Sequence, residues 1–342
     1  MDFKNVAQLH NIAEISCDEQ NNEYVMSRIP FALREKLNAA VKKRCLAPAG
    51  SEIRFNINSG SAKVVLRFIE ERGVNKGQPV IAEVYQGCFR IGCYALREEA
   101  TEIIITPAGN TAKLREISQL YGHPFDAGLT RILLPDTAAV RLIDISGDIR
   151  LPEAGQTPAG KYLAYGSSIT NGSFALAPSS TYPTKTAAIL GKDLFNLGFG
   201  GGAHLEPEMA DYIAERNDWD FTTLETGINI LGIDEAEFDK RVRYFVRRIA
   251  AAHPAKWVFC TGIFTFSQDF DVKAKKGKKF REIVKQAVTE LNMPKVIYAD
   301  GRELLRDPAG LSPDLVHPVD SGFTEIAANL AGLIKRYMIN DK

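Results

Sequence analysis

The first half of the chain alternates short apolar runs with turn residues. β-Branched and aromatic side chains dominate these runs, and Gly, Pro and Asn separate them. Many short strands without intervening helices are typical of an antiparallel β-sandwich, here of a jelly-roll-like kind. The predicted strands are residues 53–57, 62–68, 80–85, 101–105 and 130–134.

One helix is predicted before these strands, over residues 30–43. Phe31, Leu33, Leu37 and Val41 recur there at helical spacing and would share one face.

The second half has a different pattern, in which apolar runs of strand length alternate with longer amphipathic ones. This order predicts βαβ units, and therefore a parallel sheet with helices on both faces. The predicted strands are residues 161–165, 194–199, 221–225, 256–262 and 295–300. The predicted helices are residues 182–190, 205–215, 235–252, 279–291 and 321–337.

A Pro- and Gly-rich stretch, residues 151–160, separates the two patterns and is interpreted as a linker. We therefore expect a sandwich domain over residues 1–155 and an α/β domain over residues 156–342. Binding sites in parallel sheets gather at the carboxyl ends of the strands, where Ser168, Gly201 and Asn229 would each lie.

Composition narrows the function classes. Forty-two basic residues balance forty-two acidic ones, which argues against nucleic acid or an anionic membrane as the partner. Five cysteines without ligand spacing argue against a disulfide framework or a zinc site. The first residues lack a signal-peptide pattern and no segment reads as a membrane span, so we expect a cytoplasmic protein, although removal of a leader would leave the same sequence.

The chemistry is concentrated in two distant segments. Residues 165–172, Tyr-Gly-Ser-Ser-Ile-Thr-Asn-Gly, end a strand in a sharp turn, and Asp314 and His317 lie three residues apart near the carboxyl end. A serine, a histidine and a carboxylate are the three parts of nucleophilic acyl transfer. Taken alone, Ser168 would only cap a helix, and the turn is not a Gly-x-Ser-x-Gly elbow because Thr170 replaces the second glycine.

Four ordered blocks resemble those of the SGNH, or GDSL-like, hydrolases. They are Tyr-Gly-Ser-Ser-Ile-Thr at residues 165–170, Asn-Leu-Gly-Phe-Gly-Gly at 196–201, Gly-Ile-Asn at 227–229, and Asp-x-x-His at 314–317. The resemblance implies a three-layer, flavodoxin-like α/β/α domain. This sequence departs from the family pattern at Ser167, Gly202 and Ile230, where acidic or amide residues are common in the family.

The resemblance also implies roles for single residues. Ser168 would be the nucleophile, His317 the base and Asp314 the acid that orients it. The backbone amides of Ser168 and Gly201 and the side chain of Asn229 would form the oxyanion hole. We further expect His204, Glu206 and Phe264 to contribute to substrate binding, although core packing is the alternative for Phe264.

The predicted activity is hydrolysis of short acyl esters, with O-acetylated carbohydrates as the leading substrate class and no metal or cofactor. An acyltransferase working through the same acyl-enzyme and a non-catalytic carbohydrate-binding protein are the alternatives. A more distant alternative is a dinucleotide-binding enzyme, because residues 198–203 match Gly-x-Gly-x-x-Gly/Ala and Asp220 follows near the expected spacing. The sequence does not predict the oligomeric state.

Overall fold

The computed structural model describes residues 5–69, 78–136 and 138–339. Its first part contains one antiparallel sheet, ordered β2-β3-β9-β4-β8-β5-β6, with β1 and β7 also paired to β4. The strands are β1 Gln8–His10, β2 Glu14–Asp18, β3 Glu23–Ser27, β4 Glu52–Ile69, β5 Ile81–Gln86, β6 Phe89–Ala95, β7 Thr101–Ile105, β8 Leu129–Leu133 and β9 Ala139–Arg150.

Strand β4 connects the parts of this sheet. It pairs with β8 near its start and with β7 further along, while β9 follows its other edge. Register shifts between Ile57 and Lys63 interrupt the pairing of β4 with β9. Apolar residues from all these strands, among them Ile53, Val64 and Ile103, form one hydrophobic cluster. The predicted runs 53–57 and 62–68 both lie within β4 and thus form one long strand.

Helices of the first part depart from the prediction. The helix expected over residues 30–43 is split into α1 Phe31–Arg34 and α2 Ala39–Arg44. Asn38 is extended and its Oδ1 accepts from the backbone N–H of Ala40 and Val41, so it starts a new helix. Helix α3, Thr111–Tyr121, was not predicted; it lies at the surface and buries only Ser118.

The second part contains a five-stranded parallel sheet, ordered β11-β10-β12-β13-β14. The strands are β10 Lys161–Gly166, β11 Asp193–Gly198, β12 Phe221–Glu225, β13 Trp257–Thr261 and β14 Val296–Ala299. The helices are α4 Ser168–Asn171, α5 Tyr182–Leu190, α6 Pro207–Glu215, α7 Glu235–Ala252, α8 Lys276–Leu291, α9 Gly301–Leu304 and α10 Asp320–Ile339. Each predicted strand and helix of this half is present, with bounds within three residues.

Helices cover both faces of the parallel sheet because successive strand residues point to opposite sides. Leu163 and Tyr165 pack with α6, α7 and α8, whereas Tyr162 and Ala164 pack with α5 and α10. The prediction of an antiparallel domain followed by a three-layer α/β/α domain is thus confirmed. Among the described residues, no helix is long and apolar enough to cross a lipid bilayer.

The two parts share buried polar contacts. Arg28 is fully buried and donates to the carbonyls of Ala47 at 2.7 Å and of Arg44 and Asn196 at 2.9 Å, and to Asn171 Oδ1 at 3.2 Å. A guanidinium that is removed from water needs such acceptors, so this side chain ties the first part to β11 and α4.

A second link is ionic. Arg54 of β4 binds both carboxylate oxygens of Asp193 at 2.8 and 2.6 Å, at the start of β11. Glu52 accepts from Arg54 and from Arg131, which balances the buried charges. In addition, Leu37 and Val41 belong to the hydrophobic cluster of the α/β domain. The boundary at residues 155 and 156 stays a prediction.

Candidate active site

Residues 166–172 follow β10 and contain the short helix α4. Because they carry the predicted nucleophile Ser168, they are called the nucleophile turn. Ser167 starts the helix, because its backbone is extended and its Oγ accepts from the Ile169 N–H at 3.1 Å. Ser168 is the first helical residue and only 6% exposed. Gly198 of β11 allows α4 to lie this close, since a Cβ there would come within 2.2 Å of the Asn171 nitrogen.

A second loop, residues 311–319, carries the acid and the histidine. Asp314 Oδ1 accepts from the Ser312 hydroxyl and the Val316 N–H at 2.8 Å and from the His317 N–H at 2.9 Å. Leu315 has a φ of 55°, in the left-handed region, which lets the chain wrap around the carboxylate. The loop therefore fixes Asp314 and His317 relative to each other.

The structure brings these two segments together. The ring Nδ1–H of His317 donates to Asp314 Oδ2 at 2.6 Å, which leaves Nε2 as an acceptor 2.7 Å from Ser168 Oγ. Partial burial by itself raises the pKa of Asp314, but the hydrogen bonds from His317, Ser312 and Val316 outweigh it and lower the pKa to about 2. An ionised carboxylate holding a neutral imidazole against a hydroxyl is the arrangement that activates a serine.

Two segments follow β11 and β12, the strands that flank β10 in the parallel sheet. A Cβ built on Gly200 would lie 3.4 Å from Ser168 Cβ, so the glycine loop, residues 199–203, passes directly over the nucleophile. Gly201 has a φ of 71°. Asn229 Oδ1 accepts from the Ala203 N–H at 3.1 Å, which fixes the amide and turns Nδ2 away from that bond. The N–H groups of Ser168 and Gly201 have no acceptor among the described residues.

Asn38 of the first part supports the glycine loop and was missed by the sequence analysis. Its Nδ2 donates to the carbonyl of Gly202 at 2.9 Å and to the carboxylate of Glu206, while its Oδ1 caps α2. The contact with Gly202 joins residues 164 positions apart in the sequence, so no local sequence pattern could have predicted it. The first part therefore helps to shape the loop over Ser168.

Backbone strain is concentrated around this site. Phe174, Leu205 and Leu315 have φ values of 74°, 58° and 55°. The other non-glycine residues with positive φ in the described ranges are asparagines, which tolerate this region: Asn11, Asn22 and Asn292. Phe174 stacks on the ring of His317 with centroids 5.3 Å apart. Strained residues held by their surroundings are typical of functional sites.

The residues expected to bind substrate lie in different environments. His204 is half-buried behind the glycine loop, and Glu206 is held by Asn38. Phe264 does not fit the expected role in substrate binding, because its side chain is 1% exposed and packs on Tyr182 in the core beside α10. A ring buried to that degree packs the core and does not line an open pocket.

The dinucleotide hypothesis does not fit the geometry. Gly198 is at the carboxyl end of the parallel sheet, whereas Asp220 precedes β12 and its Oδ2 accepts from the Lys161 N–H at 2.6 Å, at the amino end. An acid that binds the ribose has to lie at the carboxyl end, beside the glycine turn. Among the described residues, no group of three or more His, Cys, Asp or Glu side chains is arranged to hold a metal ion.

Removing the Asn229 amide tests the oxyanion hole. We expect Asn229→Ala to lower kcat by about 10²–10³-fold with little change in KM, because the lost donor serves the transition state. Asn229→Asp retains the acceptor for the Ala203 N–H but lacks the donor, and it should fall at least as far. Steady-state kinetics check both variants; an Asn229→Asp enzyme with unchanged kcat would contradict the role.

Comparison with known proteins identifies the family and relatives of the fold. The model of the GDSL-like lipase/acylhydrolase family matches residues 161–335. A comparison with curated proteins found no match to this sequence. Among solved structures, the salicylyl-acyltransferase SsfX3 from a tetracycline biosynthetic pathway is similar, with a TM-score of 0.79, 19% identity, and coverage of 98% of this chain and 94% of that one.

Two carbohydrate esterases share the whole two-part architecture. For a family two carbohydrate esterase from Cellvibrio japonicus the TM-score is 0.62 at 14% identity, covering 98% of this chain and 96% of that one. For a family two carbohydrate esterase from Clostridium thermocellum in complex with cellohexaose it is 0.59 at 15% identity, covering 85% and 94%. At these identities the likeness concerns the fold.

Proposed function

Because the chain belongs to the GDSL-like lipase/acylhydrolase family, we propose that it is a serine esterase whose nucleophile is Ser168. The observation that carries the proposal is the continuous hydrogen-bonded series from Ser168 Oγ through the His317 ring to Asp314, at 2.7 and 2.6 Å. These contacts support the proposed roles, since an imidazole can accept at one nitrogen while it donates at the other.

In the first half-reaction Ser168 Oγ attacks the ester carbonyl carbon while His317 Nε2 takes the hydroxyl proton. The negative charge on the carbonyl oxygen is stabilised by the N–H groups of Ser168 and Gly201 and by Asn229 Nδ2. The intermediate collapses to an acyl-serine, the carbon–oxygen bond to the alcohol breaks, and His317 gives its proton to the departing oxygen.

In the second half-reaction His317 takes a proton from water, whose oxygen attacks the acyl carbon. The acid leaves and Ser168 regains its proton. An alcohol held in place of this water would receive the acyl group instead, so the same residues also serve acyl transfer. The choice of acceptor depends on how the groups around Ser168 exclude water.

We propose short acyl esters of carbohydrates as the substrates. The fold is similar to that of two carbohydrate esterases of family two, over 98% and 85% of this chain. Polar and aromatic groups lie beside the nucleophile: Arg44 Nε would be 3.8 Å from a Cβ at Gly200, and Phe174 packs on His317. A guanidinium and an aromatic ring suit a hydroxyl-rich alcohol better than a lipid.

The test is a panel of esters with wild-type enzyme and with Ser168→Ala as the background. Release of nitrophenol from acetyl, butyryl and octanoyl esters gives the acyl preference, and release of acetate from O-acetylated xylose gives the sugar preference. N-Acetylglucosamine is the matched control, because its amide is a poorer electrophile. Each reaction is repeated with glycerol as an acceptor to detect acyl transfer.

We expect turnover to fall as the acyl chain lengthens and acetate to be released from the acetylated sugar but not from the amide. A preference for octanoyl esters would contradict the short-chain assignment. Absence of turnover with every ester, with and without glycerol, would contradict the esterase proposal and favour a carbohydrate-binding protein.

A further inference from the structure

A buried carboxyl group, Glu225, lies directly beneath the nucleophile turn. It is the last residue of β12, whose Leu224 pairs with Tyr165 of β10, so the ends of the two strands lie side by side. Its side chain is 1% exposed. The triad mechanism makes no use of this group, and no metal-binding cluster of the described residues includes it.

The contacts of Glu225 converge on a single oxygen. Oε2 accepts from the Ser167 N–H at 2.7 Å, from the Ser167 hydroxyl at 2.8 Å and from the Thr170 hydroxyl at 2.8 Å. These donors flank Ser168 on both sides. The Thr170 hydroxyl also contacts the Tyr182 hydroxyl at 2.7 Å, which links the turn to α5.

The close approach of Glu225 depends on the glycine at position 166. A Cβ on Gly166 would come 2.4 Å from Glu225 Oε2 and 2.2 Å from Thr170 Oγ1, which is closer than any real contact. The glycine before the two serines is therefore required by the carboxyl group beneath the turn as well as by the turn itself.

The other carboxyl oxygen is unused. Oε1 is buried and has no hydrogen-bond partner among the described residues. Burial raises the pKa of Glu225, while the bonds from Ser167 and Thr170 act in the opposite direction. A carboxyl group that works through one oxygen, with neutral partners, can be replaced by any side chain that presents one acceptor at that point.

We propose that Glu225 is a positioning residue, whose Oε2 holds Ser167 and Thr170 and so fixes Ser168 for attack. The proposal rests on the proposed esterase function for its effect on rate, but the contact with the turn is independent of it. The hydroxyl of Ser168 has to keep its place relative to both His317 and the incoming carbonyl, and a displacement of about 1 Å can cost about 10²-fold in rate.

The experiment compares Glu225→Met, which has a similar length but no oxygen, with Glu225→Gln, which retains one acceptor. We expect Glu225→Met to lower kcat by about 10²-fold with KM nearly unchanged, and Glu225→Gln to remain within about threefold of wild type. Thr223→Val is the matched control, because it removes a buried hydrogen bond to Tyr162 from the same strand without touching the turn.

Thr170→Val provides a milder variant if Glu225→Met does not fold. It removes one of the three donors and should lower kcat by about tenfold. Wild-type kcat in Glu225→Met or in Thr170→Val would overturn the proposal. A Glu225→Gln enzyme as impaired as Glu225→Met would also overturn it, because the charge and not the acceptor would then be required.

Amide hydrogen exchange separates this proposal from the esterase assignment. In Glu225→Met the segment from Ser167 to Asn171 should exchange faster than in wild type, whereas Thr223→Val and Glu225→Gln should leave it protected. This result stands even if no ester is turned over. Unchanged protection in Glu225→Met would show that the carboxyl group does not hold the turn.

Discussion

Replacing Ser168 by alanine will abolish ester turnover and leave the fold intact. The change removes only the hydroxyl that lies 2.7 Å from His317 Nε2, at a side chain that is nearly buried. Without an attacking oxygen no acyl-enzyme forms, and the loss in kcat should be on the order of 10⁴–10⁶-fold. The groups of the oxyanion hole remain, so substrate binding and therefore KM should change little.

The measurement is kcat on the preferred ester, together with covalent labelling by a fluorophosphonate followed by peptide mapping. Wild-type enzyme should carry the label on Ser168, and Ser168→Ala should carry none. Ser173→Ala is the matched control, since this serine follows the same turn and makes no side-chain hydrogen bond to His317 among the described residues. Turnover in Ser168→Ala equal to that of wild type would show that another residue is the nucleophile.

Replacing His317 by glutamine will cost nearly as much as removing the nucleophile. The imidazole has to accept the proton of Ser168 and return it to the alcohol, and an amide does neither at neutral pH. We expect kcat to fall by about 10⁴–10⁶-fold, because residues of a triad act as a unit. His253→Gln is the control: its ring bonds the Ala214 carbonyl at 2.8 Å, away from the site, and its loss should leave kcat unchanged.

Asp314→Asn separates orientation from proton transfer. The amide can present a donor to Nδ1 and so stabilise the wrong tautomer, and a fall of up to about 10⁴-fold is expected. A double substitution, His317→Gln with Asp314→Asn, should be no slower than His317→Gln alone. Additive losses would show that the two residues do not act together.

The pKa of Asp314 gives the sign of one pH effect. In the folded protein the pKa of Asp314 is about 2, below the ordinary pKa of an aspartate in the unfolded chain. The stability that the ionised carboxylate contributes through its bond to His317 is therefore fully present above the unfolded pKa, and it is lost as the pH falls through about 2. Loss of activity between pH 4 and 7 therefore reports other groups. A pH profile of kcat/KM whose acidic limb tracks Asp314 titration in that range would contradict this assignment.

The order of strands and helices in the second half could be predicted from the sequence, because it depends on local patterns of apolar residues. Apolar runs of strand length and amphipathic runs of helix length are set by neighbouring residues, so the bounds of β12, α5 and α7 match the prediction. The predicted triad rests instead on the resemblance of four ordered blocks to those of the GDSL-like hydrolases. Because the carboxyl ends of parallel strands meet at one edge, residues that follow those strands are brought close together.

Three features of the molecule differ from the sequence-based prediction or were left open by it. Helix α3, which was not predicted, buries only Ser118, and the helix expected over residues 30–43 is broken at Asn38, whose side chain caps α2. For Phe264 the sequence favours core packing but leaves a pocket wall open, and the packing of α10 beside it places it in the core.

The sequence by itself determined the class of the second domain, because periodicity is a property of neighbouring positions, and it indicated the residues proposed for the triad through the resemblance of four ordered blocks to those of the GDSL-like hydrolases. Only the tertiary structure decided what holds them. Asn38 on the glycine loop, Arg28 against β11 and Glu225 under the nucleophile turn are contacts between residues 58 to 168 positions apart. Such partners are decided by how distant elements pack on one another, and this packing produces no periodic pattern in the sequence.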